Sequence, residues 1–551
     1  MVISKTQLMA CLVAILFCTA AALSTSFPFG PQSTPHIAQL IQSQLVSEAT
    51  AAAINPASQS ASGLSNIATS FDPQLISDYL KQIDNSGLTR ASVAFNFNNE
   101  LIHTAAQGCL DASCTSHADH HTRYRMGSIT KTFTAVLVMK AIEEGLLTLD
   151  TPLSTFLPQT KYPIKNSDKM TIKTLLNHRA GLFSYTDNGF DLYKTYTLND
   201  IVDIVVKNQD SQPLPDTKGK YCNTGYYFLG EILQMVYKKP YAALLNERIV
   251  SPLSLFSTYL SPMPSSSSSL SQSRPDVARG ETLSFNPLTS LEWVETSQYT
   301  DYTATAAAGA LVSTPKDLSS FYHGVFIQKK IISPASINLM RQYRATEGGG
   351  NYGLGIYQIF ATGPNGEIHE GFGHNGFIDG FFSFSGIICS KPRETGADVL
   401  SDGYIGYFES ANGFNGMTLV SNRIASFYRY MLGVPIEIPL PPNSLDPNTD
   451  NYGALAGRYT SEQFPTLPMT ILHEHITREF YNPQTKSFEL RTLPLLVLRP
   501  DGQIGVPLIY NPQLPQFSYV YDLLGVTVKF DPKEPNTFYF TQYSYNLVYK
   551  R

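Results

Sequence analysis

The segment Met126-Gly127-Ser128-Ile129-Thr130-Lys131-Thr132-Phe133 decides how the rest of this chain is read. Apolar residues follow at helical spacing (Phe133, Val136, Leu137, Met139, Ala141, Ile142), which places Ser128 at the first turn of a buried helix. Lys131, three residues on, shares its face. A serine hydroxyl is a weak nucleophile until a base takes its proton. A lysine amine can be that base once burial or nearby cations lower its pKa. The helix N-terminus adds a field that favours developing negative charge. The spacing alone is not specific, because Ser313-Thr314-Pro315-Lys316 also fits it. There the proline and Asp317-Leu318 signal a helix start, with Ser313 or Thr314 as its cap.

Two more segments carry chemistry. In Tyr221-Cys222-Asn223-Thr224-Gly225, a tyrosine and an asparagine two apart on an irregular loop point into one cleft. A tyrosinate near a lysine relays protons, and an Asn amide fixes a substrate carbonyl or bonds the lysine. The same residues also read as a helix start, capped by Asn223 or Thr224, with Tyr226–Val236 as the helix. The third segment is Gly373-His374-Asn375-Gly376-Phe377-Ile378-Asp379-Gly380, leading into the apolar strand Phe381–Ile388. Its glycines let a strand edge approach a substrate backbone. A backbone N–H there pairs with that of Ser128 as an oxyanion hole. His369-Glu370-Gly371 has the same His-x-Gly form, but only His374 is followed directly by the glycine-rich run.

Taken in order, Ser128-x-x-Lys131, Tyr221-x-Asn223 and His374-x-Gly376 resemble the serine β-lactamase and penicillin-binding protein superfamily. The resemblance is nearest to the class C β-lactamase, D-stereospecific peptidase and carboxylesterase branch. Thr171–Leu182 and Ala307–Leu318 resemble the family's intervening segments, and the likeness runs from about Phe71 to Leu432. It implies an α/β (α+β) fold, a helix cluster against an antiparallel sheet with the cleft between them. It implies acylation of Ser128, with Lys131 and Tyr221 sharing the base and acid roles. Asn223, His374, Gly376 and Phe377 would bind substrate, and the N–H groups of Ser128 and Phe377 would form the oxyanion hole. No cofactor and no metal are implied. The departure is His374, where true β-lactamases usually carry lysine; a histidine is only partly charged near neutrality and grips a substrate carboxylate less well. Phe377 is bulkier than the small residue typical at that point.

Outward from these motifs, the chain divides into a signal peptide at 1–22, a Ser/Ala/Gln-rich linker at 23–70, the hydrolase-like domain at 71–435, a Pro-rich linker at 436–451 and a small all-β domain at 452–551. Lys5, the apolar run Leu8–Phe17 and Thr19-Ala20-Ala21-Ala22 have the layout of a secretory signal, so the protein is expected to be secreted or periplasmic. No later run is long enough to span a membrane once the signal is cleaved. A helix over Leu75–Ile83 and a hairpin of Ala91–Phe97 with Leu101–Ala106, turning at Asn98-Asn99, open the domain; Leu419–Leu432 closes it. Short alternating runs such as Phe488–Leu490 and Leu495–Leu498, with turns at Asp501-Gly502 and Asp531-Pro532, suggest a barrel or sandwich after it.

Charged residues are only 15% and the net charge is -5, so no basic patch points to nucleic acid. The partner expected is a small-molecule or peptide substrate, and nothing sets the oligomeric state. Cys109 and Cys114 are placed for a local disulfide, whereas Cys222 and Cys389 read as buried thiols. Cys114, His117, His120 and His121 are zinc-ligand types, but a polar surface loop accounts for them. Substrate choice lies in loops such as Tyr185–Asp200 and Ser265–Ser273. Two functions from different classes follow. One is an exported serine hydrolase acting on an amide, ester or D-peptide bond through an acyl-enzyme. The other is a catalytically inactive, penicillin-binding-like secreted binding module. Intact Ser128, Lys131, Tyr221 and Asn223 favour the enzyme.

Overall fold

The computed structural model describes residues 71–551 apart from 262–276, 296–304, 439–451, 501–505, 511–517 and stretches of at most four residues. The expected signal and linker, the turns at Asn98-Asn99, Asp501-Gly502 and Asp531-Pro532, the serine-rich loop and most of the Pro-rich linker lie outside the described residues.

The first helix, α1 (Pro73–Asn85), buries Ile76, Tyr79, Leu80 and Ile83. The hairpin β1 (Thr89–Phe97) and β2 (Glu100–Gln107) follows. Every residue of β1 is buried, because the strand is covered on both faces. Ala91, Val93, Phe95 and Phe97 share a core with α1, while Asn96 points the other way and accepts a hydrogen bond from Ser319 Oγ at 2.7 Å.

The chain then leaves the sheet for the helical half and returns as β3 (Tyr357–Thr362), β4 (Ile368–Ile378), β5 (Phe381–Cys389) and β6 (Tyr404–Phe414). The main sheet runs β2-β1-β6-β5-β4-β3 and then two short strands, Asn351–Tyr352 and Arg344–Ala345. A further hairpin, Glu281–Asn286 with Ser290–Glu295, joins at Gly413 to make ten strands. This hairpin was not foreseen from the sequence. The helical half centres on α2 (Thr130–Glu143), which is buried on nearly all sides, and α3 (Asn223–Tyr237). A last helix, α4 (Met417–Met431), lies against β6, where Arg423 and Glu409 form a fully buried ion pair and Tyr407 donates to Glu409 at 2.7 Å. Helix cluster and antiparallel sheet together give the α/β architecture expected from the sequence.

After the short 3-10 helix Tyr452–Leu455, the strands described in the C-terminal region form a four-stranded and a five-stranded sheet. Its first hairpin is longer than expected, with Met469–Asn482 and Ser487–Pro500 paired along their full length. The apolar runs expected as separate strands are one strand that continues through Pro494. Mutual backbone bonds between Thr460 and Lys550, both 2.8 Å, tie the first strand of one sheet to the last of the other. Among the described residues, no helix is long and apolar enough to cross a membrane.

Candidate active site

Ser128 sits in the one-turn 3-10 helix Gly127–Ile129 that runs into α2, and it is partly exposed. The turn is tight because Gly127 has φ +49°, and a Cβ there would lie 2.7 Å from the Phe377 nitrogen. From the other side, a Cβ on Gly376 would lie 1.9 Å from the Met126 carbonyl oxygen. Ser383 Oγ donates to the same oxygen at 2.7 Å. Two glycines thus bring β4 into backbone contact with the nucleophile turn. The last residue of β4 paired with β3 is Gly373, so His374–Ile378 run past the end of that neighbour. The glycine-rich segment expected to lead into a strand is therefore itself the end of one.

Lys131 is fully buried, and its Nζ is hydrogen-bonded to Ser128 Oγ at 2.9 Å and to the Ala308 carbonyl at 2.7 Å. Burial lowers its pKa well below the ordinary lysine value, with Cys222 opposing weakly. The amine is therefore biased to the neutral form, with a lone pair for the serine proton. Its second bond goes to Ala308, not to Asn223 as the sequence suggested. Ala308 is held in place by Thr134, which donates to Ala307 O at 2.6 Å.

Tyr221 lies beneath Lys131, whose Nζ is 5.0 Å from the ring centre. Burial and then Tyr357 push its pKa well above the usual phenol value, partly offset by the neighbouring Ser128 hydroxyl. Its own hydroxyl is buried with no hydrogen-bond partner of good geometry. Asn223 opens α3 and donates to Thr186 Oγ1 at 2.9 Å. It does not cap the helix, and neither does Thr224, which instead donates to Phe183 O and accepts from Tyr185 N–H. The other Ser-x-x-Lys segment is structural: Thr314 caps the helix Pro315–Tyr322 by accepting from Asp317 N–H.

His374 is 1% exposed. Its Nδ1 bonds the Asn375 carbonyl at 2.6 Å and its Nε2 the Tyr352 hydroxyl at 3.0 Å. Burial, and then Lys131, push its pKa down to about 3. The partial charge expected from the sequence is disfavoured by this burial, and only the bond to the Asn375 carbonyl works the other way. Gly376 and Phe377 are the members of the triplet region that meet the cleft. Cys109 and Cys114 are disulfide-bonded, which takes both sulfurs away from His117, the third member of the sole potential metal cluster among the described residues.

Sequence reasoning missed His178. It is 2% exposed, and its ring lies 4.2 Å from that of Tyr221, tilted by 36°. The available signal was a lone histidine closing the apolar helix Ile172–Leu176. Ala308 lies in a segment the family resemblance marked, but the role of its carbonyl left no signal, since any residue carries one.

A beta-lactamase family model matches residues 74–393. Penicillin-binding protein 4 of Amycolatopsis lactamdurans is 30% identical over 161 residues, 28% of this chain and 40% of that protein. The chain thus spans less than half the length of this relative. Among solved structures, the D-amino acid amidase of Ochrobactrum anthropi SV3 complexed with L-phenylalanine amide has a TM-score of 0.52 at 22% identity, covering 68% of this chain and 98% of that one. The octameric penicillin-binding protein homologue of Pyrococcus abyssi has a TM-score of 0.51 at 19% identity, covering 86% and 99%. At these identities the likeness is one of fold.

Proposed function

The chain belongs to the beta-lactamase family, and from that premise we propose that it is an exported serine hydrolase acting through an acyl-enzyme on an amide, ester or D-peptide bond. The observation that carries this reading is the buried Lys131 amine, 2.9 Å from Ser128 Oγ and anchored by the Ala308 carbonyl. Neutral Lys131 takes the Ser128 proton as Oγ attacks the substrate carbonyl carbon. The N–H groups of Ser128 and Phe377 receive the oxyanion. Tyr221, a phenol held neutral by burial, passes a proton to the leaving amine or alkoxide as the tetrahedral species collapses. Water then attacks the acyl-Ser128 ester with the same groups in reverse order.

His374 supports a substrate without a carboxylate beside the scissile bond, because a buried neutral imidazole offers no cation. Esters and neutral amides are accordingly favoured over penicillins. The apolar run Leu8–Phe17 and the Cys109–Cys114 disulfide support export to an oxidising compartment.

Intact-mass spectrometry with a fluorescent penicillin and, separately, a p-nitrophenyl ester tests the reading on wild type and Ser128→Ala. A covalent adduct or ester turnover that vanishes in Ser128→Ala is the expected result. Silence of the wild type toward both probes would overturn it in favour of a non-catalytic binding module.

A further inference from the structure

Three contacts converge on Tyr221 from one residue. The His178 carbonyl accepts the Lys220 N–H at 2.9 Å, and His178 Nδ1 accepts the Cys222 N–H at 3.1 Å. The N–H groups of the two residues on either side of Tyr221 in the chain are therefore both bonded to His178. Between those bonds the imidazole packs on the Tyr221 ring at 4.2 Å, with Tyr352 at 4.5 Å on another side. His178 reaches both neighbours because it takes φ +58° as it leaves its helix, a conformation costly for a non-glycine residue.

We propose that His178 is the positioning residue of the site, clamping the backbone on both sides of Tyr221 and fixing the plane of its ring so that the phenol stays in register with Ser128. This rests on the serine-hydrolase reading above and adds to it the element that holds the proton donor.

The clamp also fixes the state of the imidazole. Nδ1 accepts from a backbone N–H, so the proton of the neutral ring is on Nε2. Nε2 is buried and has no partner among the described residues. The groups that face the ring are Lys131 from α2, Tyr221 and Tyr226 from the second motif and α3, and Tyr352 and His374 from the sheet. None of these is an anion that would stabilise a charged imidazole. Burial first and then Lys131 hold its pKa well below the ordinary histidine value. Protonation of Nδ1 would break the bond to Cys222 and bury a cation with no anion beside it.

Two variants separate the parts of the clamp. His178→Phe keeps a ring and removes the acceptor; His178→Asn keeps a polar acceptor and removes the ring. Each is expected to lower kcat on the p-nitrophenyl ester by about tenfold or more per active site, with KM within about twofold. The alkaline limb of the kcat–pH profile should also move to lower pH, since a loosened Tyr221 is better hydrated. A residue that only stabilises the fold would lower the melting temperature and the fraction of titratable sites while leaving kcat per site and the alkaline limb unchanged; that result overturns the proposal. A measurement on the unmodified protein stands apart from both variant folding and activity. The imidazole 15N resonances of His178 should report the neutral Nε2–H form from about pH 5 to 9, and a charged ring or the Nδ1–H form in that range overturns the clamp. Were wild type inert to both chemical probes, the hydrolase reading would fall, while the 15N spectrum would still decide whether His178 holds Tyr221.

Discussion

In the proposed reaction, the chemistry at Ser128 depends on which of two neighbours carries a proton. Lys131 must be neutral to accept one, and its pKa is lowered by burial. Tyr221 must be neutral to give one, and its pKa is raised by burial. Acylation should therefore rise with pH through the lowered lysine value, hold a broad plateau and fall only when the phenol ionises above its usual value. A stopped-flow pH profile with an activated ester checks this; a rate that climbs only near the ordinary lysine pKa contradicts it. Stability follows the histidines. His374 falls from 6.5 in the unfolded chain to about 3 in the fold. Below pH 6.5 the unfolded state binds the extra proton, so stability is full above that pH and is lost as pH falls toward 3, by roughly 5 kcal/mol at the limit. His374→Gln should flatten that acid loss in urea titrations. Ser128, Lys131 and Tyr221 were legible in the sequence because each sits in a short local pattern. The neutrality of His374 was not, because it comes from packing contributed by Tyr352 and α2.

At the level of elements, the cleft depends on two glycines that permit backbone contact. Gly376→Ala places a methyl group against the Met126 carbonyl, which is main chain and cannot swing aside. The cost should be about 1–3 kcal/mol, and Ser128 labelling should fall further than the melting temperature implies, since the nucleophile turn is what must move. Thr314→Ala removes the cap of the helix Pro315–Tyr322 and should cost about 1 kcal/mol by urea denaturation without altering labelling. The helices were legible from their 3.6-residue period and from Pro315. The strands were less so. β4 carries three glycines and two histidines, a composition that resembles a loop. Its strand character comes from pairing with β3 and β5, which no local period reveals. Pro494 divided what is one strand, because its position opposite His475 is a matter of partner and register.

Across the whole molecule, two buried or bridging junctions hold the parts together. Arg423 and Glu409 join α4 to the sheet with both charges out of water. Arg423→Met leaves the buried carboxylate without a counter-charge, with the Tyr407 hydroxyl still donating to it, and should cost about 3–5 kcal/mol, read by chemical denaturation at neutral pH. Pairing it with Glu409→Leu should recover most of that loss. The C-terminal β region docks on α1, where Lys81 pairs with Glu479 at 2.9 Å and the buried Gln82 accepts the Tyr481 N–H at 2.9 Å. The all-β character of that region was legible from its turn residues, but its docking was not, because polar contacts between remote segments leave no period.

The strand order has a consequence in time. β1 lies beside β6, yet residue 97 is made long before residue 404. At a synthesis rate of about 5–20 residues per second, the first strand waits on the order of 15–60 s for its neighbour. For most of that delay Ser128 also lacks the opposing strand β4, whose Gly376 and Phe377 close against its turn. The Ser128 turn and the strand that faces it thus meet only as the final third of the chain is delivered.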